Sequence, residues 1–262
     1  MSMNSDSYAH HDHQHILSHS LPPRTDEKII IRPMQFSDIP WMAGIAASEY
    51  FDSDLNAFLC PRRREYPEDL IRRFHQMIQQ RFFNPRTVSF VAVVASHVHR
   101  PVGYAQFARF GDDAAAHRLV AAQTSIWRTV QAWYYLARDR VLNCLWPDRS
   151  VDREAMRRFN ESCQVDAQVY WESSEMKARY GNRWHTQSVV VSKPYQRRGI
   201  GKRLMSEVLE RAQAEGVVVG LEASTDGEKL YSRLGFELRG RFAMMVGEVA
   251  GGIMMWTPKK LQ

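Results

Sequence analysis

Gln196-Arg197-Arg198-Gly199-Ile200-Gly201, with Lys202 directly after it, combines the residue types that hold a phosphate or pyrophosphate. Glycine lets a main chain take unusual dihedrals and come close to a ligand. The first N–H groups of a helix lack internal acceptors and stand at the positive end of its dipole, so an anion binds there readily. Arg197, Arg198 and Lys202 add positive charge. The neighbouring sequence supplies the elements that would position such a turn. Val189, Val190 and Val191 form a β-branched run that predicts a buried strand, and Pro194 marks the turn after it. Beyond Gly201, Leu204, Val208 and Leu209 recur at helical spacing, with Lys202, Arg203, Glu207, Glu210 and Arg211 on the other side. Two familiar phosphate loops do not match. A Walker loop needs four residues between its glycines, and a dinucleotide fingerprint needs a third glycine where Leu204 stands.

A second stretch lies downstream: Leu221-Glu222-Ala223-Ser224, then Leu230-Tyr231-Ser232-Arg233-Leu234-Gly235-Phe236. Together the two motifs resemble the GCN5-related N-acetyltransferase (GNAT) superfamily over roughly the last third of the chain. The resemblance implies acetyl-CoA as co-substrate, with no metal. It implies an α/β (α+β) fold with a mixed, mostly antiparallel sheet flanked by helices. Val189, Val190 and Val191 would lie beside the pantetheine arm, the main chain of Val189 and Val191 pairing with it as with a further strand. Gln196 to Lys202 would hold the pyrophosphate. Tyr231 stands where many members carry the proton donor to the CoA sulfur. Ser224 stands where the family often has an Asn touching the CoA arm, a departure at this contact. The stretch from Leu221 to Phe236 also resembles puromycin-type acetyltransferases.

Acetyl transfer to an amine needs the thioester held beside the nitrogen, a base for the ammonium proton, and donors for the leaving thiolate and the developing oxyanion. The residues leave the base open. His185 lies on the strand Arg183 to Val191, where imidazole suits proton transfer near neutrality. By resemblance, it falls where histone acetyltransferases place a glutamate and arylalkylamine acetyltransferases a histidine. Glu222 and Glu172 are its rivals. Period-two alternation puts His185, Gln187, Val189 and Val191 on one face. Cys60, Cys144 and Cys163 lie far from these motifs in sequence, which favours direct transfer in a ternary complex over a cysteine intermediate.

The rest of the chain supplies the scaffold. Residues 1–27 are polar, carry His10, His11, His13, His15 and His19, and read as a disordered tail ahead of one domain, 28–262. Lys28 to Arg32 predicts a first strand, Ser37-Asp38 and Pro40 open a helix to about Tyr50, and Asp69 to Phe82 predicts another. Thr87 to Ala95 and Val102 to Phe110 predict an antiparallel hairpin. By resemblance these strands would lead directly to Val189–Val191. Instead residues 111–181 intervene, with helical patterning over Ala121–Leu142 and Asp152–Tyr170. This insertion holds Trp127, Trp133, Tyr134, Tyr135, Trp146, Phe159, Tyr170 and Trp171, too many aromatic residues for a disordered loop. It reads as a cover over the acceptor site, which points to a bulky or aromatic amine; a pair of helices packed for stability alone is the plainer reading.

The 262 residues suffice for one large domain, and a hydrophobic content of 44% supports a packed core. The net charge of +6 suits an anionic co-substrate. Its basic residues are dispersed, which argues against nucleic acid as a partner. Three widely spaced cysteines show neither disulfide nor metal spacing. With no apolar run of membrane-spanning length and no signal core, the expectation is a cytoplasmic protein, monomer or homodimer, that does not bind membranes. The expected function is acetyl transfer to a small-molecule amine. A protein lysine or N-terminal acetyltransferase and a non-catalytic acyl-CoA-binding regulatory domain are the alternatives.

Overall fold

The computed structural model describes residues 27–246 and 251–259. The histidine-rich segment, read from the sequence as a disordered tail, lies outside the described residues except for Glu27.

Seven strands form one sheet: β1 (Ile29–Pro33), β2 (Thr87–Val94), β3 (His97–Phe110), β4 (Arg183–Val191), β5 (Val218–Ala223), β6 (Glu237–Arg241) and β7 (Gly252–Trp256). Their order is β1-β2-β3-β4-β5-β7-β6. Every neighbouring pair is antiparallel except β4 and β5, which run parallel. A parallel pair needs a crossover. Here it is helix α8 (Ile200–Glu215), which Gly216 ends in the left-handed conformation at φ 71°.

The helices ahead of α8 are α1 (Ile39–Tyr50), α2 (Asp54–Leu59), α3 (Pro67–Phe83), α4 (Ala114–Gln123), α5 (Ile126–Leu145), α6 (Arg153–Ala167) and α7 (Ser174–Tyr180); α9 (Thr225–Arg233) follows β5. Proline begins α1 and α3, where its missing N–H costs nothing. Two layers of core result. On one face of the sheet α8 buries Leu204, Met205, Val208 and Ala212 against Phe107, Trp184 and Val219. On the other, α1 and α3 bury Met42, Ala46, Phe74 and Ile78 against Val91, Tyr104 and Val190. The face carrying α1 and α3 is called the front below.

Residues 111–181 form the helical insertion between β3 and β4. The helix expected over Ala121–Leu142 is two helices, because Thr124 and Ser125 leave the helical conformation and the Ser125 hydroxyl caps the N-terminus of α5. Helix α6 closes with a short π-helical turn, Gln168–Glu172. Buried ionic contacts fasten the insertion at its start and near its middle. Arg109, 1% exposed, reaches Asp113 at 2.5 Å and Glu215 at 2.7 Å. Asp69 of α3, 2% exposed, accepts from the main chain of Arg149 at 3.1 Å and from its guanidinium at 2.9 Å. No described helix is long and apolar enough to cross a membrane.

Candidate active site

The central strand parts from its neighbour halfway along. Pairing of β4 with β5 runs from Arg183↔Val218 to Thr186↔Leu221 and stops. Beyond that point β4 continues to Val191 paired with β3 alone, and Glu222 and Ala223 of β5 pair with β7 alone. A wedge opens between Gln187–Val191 and the end of β5. The main chain on its β4 side has no strand partner, and such an edge readily accepts one.

A bulge sits at the parting. Gln106 pairs with Ser188 but Phe107 with Thr186, so Gln187 is one residue more than β3 can match. The bulge overturns the alternation expected from the sequence. Val189 and Val191 pack on the α8 side with Trp184, whereas His185, next to Trp184, points to the front. An extra residue shifts the facing of everything after it.

The basic turn leads from the wedge into α8. Arg197 at φ 62° and Gly199 at φ 75° both take the left-handed conformation. No side chain caps α8, and its first backbone hydrogen bond here runs from the Arg203 N–H to the Gly199 carbonyl. The N–H groups of Ile200, Gly201 and Lys202 lie ahead of that bond. Gly201 is tightly packed, since a Cβ there would meet Leu230 at 3.2 Å. Arg197 and Lys202 are exposed, and the Arg198 guanidinium lies over the Tyr195 ring. Gln196 faces the protein. Its amide donates to the Val191 carbonyl at 2.8 Å and to Glu49 at 3.1 Å, and Glu49 also accepts from the Lys193 N–H at 2.8 Å. Gln196 therefore fastens the turn to β4, and the Val191 carbonyl is already engaged. An uncapped helix start flanked by cations fits a diphosphate.

Tyr231, on α9, is 9% exposed and its ring meets Phe236 edge-on at 5.6 Å. Burial, reinforced by nearby Tyr50, pushes its phenol well above the ordinary value, so it keeps its proton at neutral pH. Ser224 caps α9 by accepting from the Gly227 N–H at 3.3 Å.

His185 and Glu222 form a couple, with Nε2 2.7 Å from Oε2. The Phe110 and Trp171 rings stand edge-on to the imidazole at 5.8 and 5.6 Å. The Nδ1 of His185 is buried without a hydrogen-bond partner. Neighbouring protein atoms work against the Glu222 carboxylate, but its side chain stays 44% exposed, and His185 and Arg183 hold it below its ordinary value. The other rival, Glu172, is tied to Lys177 at 3.0 Å and Arg183 at 3.2 Å.

Residues 164–238 match the family model described as acetyltransferase (GNAT) domain. This chain carries a GNAT acetyltransferase domain. The match spans the bulge, the wedge, the basic turn, α8 and α9. No curated protein is significantly similar in sequence. Among solved structures, one titled histone acetyltransferase HPA2 and related acetyltransferase, from Corynebacterium glutamicum, is 17% identical at a TM-score of 0.56, over 88% of this chain and 96% of that one. A GCN5-related N-acetyltransferase from Kribbella flavida is 14% identical at a TM-score of 0.47, over 87% of this chain and 97% of that one. The fold correspondence rests on the Corynebacterium structure.

Glu49, Tyr50 and Arg81 carry no sequence signal of their own, and Trp171 only that of one aromatic residue among several in the insertion. Helices α1 and α3 and the π-helical turn bring them to the wedge from far along the chain. The insertion contributes less than its aromatic content suggests. Trp171 packs on Gly220, where a Cβ would lie 2.5 Å from the indole. Trp127, Trp133, Tyr134 and Trp146 are exposed to solvent, contrary to their expected place in a pocket wall. They belong to α5 and the residue after it, and the face of α5 toward α3 is occupied by Tyr135 stacked on Phe83.

Proposed function

We propose that this acetyltransferase moves an acetyl group from acetyl-CoA to the primary amine of a small molecule, by direct transfer within a ternary complex. One observation carries the reading: an unpartnered strand edge, Gln187–Val191, leads directly into an uncapped, basic helix start. The two together suit a ligand that is amide-bearing along its length and doubly phosphorylated at its end.

Acetyl-CoA supplies the acyl group already activated as a thioester. The exposed amides of β4 would align the arm, and the N–H groups from Arg197 to Lys202, with the charges of Arg197, Arg198 and Lys202, would hold the diphosphate. Glu49 and Gln196 keep strand and turn in register. The His185–Glu222 couple takes the proton of the incoming ammonium. Glu222 stays ionised at neutral pH and orients the imidazole. Tyr231, protonated under the same conditions, gives a proton to the departing sulfur. Support for a small acceptor comes from Arg81 and Trp171, which stand against β4 and β5 at the front of the wedge.

A thiol-release assay with acetyl-CoA against amines and peptides tests this. Turnover of small amines over peptides is expected. Saturable turnover of peptides alone would replace the acceptor class, and thiol release indifferent to any acceptor would refute transfer.

A further inference from the structure

Arg81, at the C-terminal end of α3, lies against the bulge of β4, its guanidinium 3.3 Å from the Ser188 hydroxyl and 3.5 Å from the Gln187 carbonyl. Among the described residues it makes no ion pair. Burial pushes its pKa down, with Tyr104 and Tyr50 opposing the effect, and no carboxylate contributes. Arg81 is half-buried, and a guanidinium partly withdrawn from water without an acid is costly to keep. Next to it lies Tyr104, fully buried, whose hydroxyl stands beside the Ser188 hydroxyl and makes no other hydrogen bond among the described residues. The side-chain amide oxygen of Gln187, at the bulge itself, is buried without a hydrogen-bond partner among the described residues. Such groups are rare in folded proteins and call for a ligand or an unseen partner. Gln187 and Ser188 are the first residues of β4 beyond its pairing with β5, which places Arg81 beside the wedge; the Tyr50 ring, stacked on Phe74 of α3, is near enough to Arg81 to act on its charge.

We infer that Arg81, with the Tyr104 and Tyr50 hydroxyls, binds a carboxylate on the acceptor, so that the acceptor is an amino acid or a related amine bearing an acid. A planar guanidinium matches a carboxylate with two parallel hydrogen bonds, and the phenols add donors. This rests on the acyl-transfer reading above.

The test compares amino acids with their own carboxamides as acceptors in the thiol-release assay, alongside calorimetry with CoA. The wild type is expected to favour the carboxylate of at least one pair by about 10- to 100-fold in kcat/KM. Arg81→Gln should erase that preference chiefly through KM, and Arg81→Lys should recover part of it. Equal use of both members of every pair, or a preference that survives in Arg81→Gln, overturns the inference. So does CoA binding without acetylation of any amine that carries a carboxylate. Absence of CoA binding instead removes the transfer reading beneath it.

A separate observation concerns the outer face of α5. Ile126, Trp127, Val130, Trp133, Tyr134, Val141 and Leu145 are all exposed, Trp127 by 79% and Trp133 by 66%. At about 100° per residue they fall within an arc of about 120°. Only Ala137 and Cys144 share that arc, and Arg138 and Arg140 flank it. Their combined exposed area is on the order of 700 Å², above the largest patch of an ordinary monomer and close to one side of a standard interface. The geometry points to a second copy of this chain as the occupant, α5 lying antiparallel on α5 across a two-fold axis near Trp133 and Ala137. That arrangement is closed and covers both stripes at once. Sedimentation of the full chain at micromolar concentration should give a dimer, and Trp133→Glu a folded monomer with an unchanged circular dichroism spectrum. A wild type that stays monomeric, including one that pellets with anionic vesicles, contradicts it, as does a dimer that survives Trp133→Glu.

Discussion

His185 Nε2 lies 2.7 Å from Glu222 Oε2, joining β4 and β5 at the place where the two strands part. The bond sits where strand pairing ends and the ligand edge begins. In the proposed reaction it would give the acceptor's proton a destination whose charge is balanced by a carboxylate.

If the couple is the base, Glu222→Gln leaves the imidazole without that balance. The expected result is a fall in kcat of about 100-fold or more, with CoA affinity nearly unchanged. Steady-state thiol release and CoA calorimetry on the same preparation separate the two effects.

Tyr231→Phe removes a hydroxyl from a buried ring and leaves the edge contact with Phe236 in place. A loss in kcat of about 100-fold is expected, with little change in melting temperature. Because burial raises the phenol's pKa, the wild-type rate should show no falling limb from Tyr231 anywhere near neutral pH. A variant as active as the wild type would remove Tyr231 from the reaction.

Glu49 receives the Lys193 N–H and the Gln196 amide. Glu49→Ala should free the turn that precedes α8 and weaken CoA binding about 10-fold, with kcat at saturating acetyl-CoA close to normal. A variant that loses kcat instead would make Glu49 part of the chemistry.

The basic, glycine-bearing turn was legible in the sequence because backbone freedom and charge at a strand-to-helix joint depend on adjacent residues. Val189–Val191, the turn and α9 all follow from local spacing. The bulge at Gln187 was not, since an extra residue in a strand leaves no mark in an apolar pattern, and it is this residue that puts His185 and Val189 on opposite faces. Arg81 and Glu49 were invisible for another reason, and nothing set Trp171 apart from the other aromatic residues of the insertion. Their meaning comes from contacts across the fold, where α1, α3 and the insertion meet β4 and β5. The aromatic residues of α5 misled in the other direction, because sequence periodicity cannot say which of two apolar faces of a helix is turned inward.

Asp69 is buried between α3 and the loop bearing Arg149. Burial opposes its ionisation, but Arg149 and Arg72 hold its carboxyl below the ordinary value. A depressed folded-state pKa contributes stability above the unfolded pKa of about 4, and that stability is lost as pH falls through the folded value. Asp69→Asn should therefore destabilise the protein by about 1 kcal/mol at neutral pH, since the arginines it leaves behind reach solvent, and flatten the acid limb of its melting temperature. Thermal melts between neutral and acidic pH check both.

The central claim is that the opened edge of β4 and the uncapped start of α8 together hold a CoA thioester. Calorimetric titration of the full chain with acetyl-CoA tests it most directly. The account predicts saturable one-to-one binding that weakens as salt is raised and is lost in an Arg197→Glu, Lys202→Glu variant that remains folded. A titration with no heat of binding at any temperature tried, or full affinity in the charge-reversed variant, would contradict it.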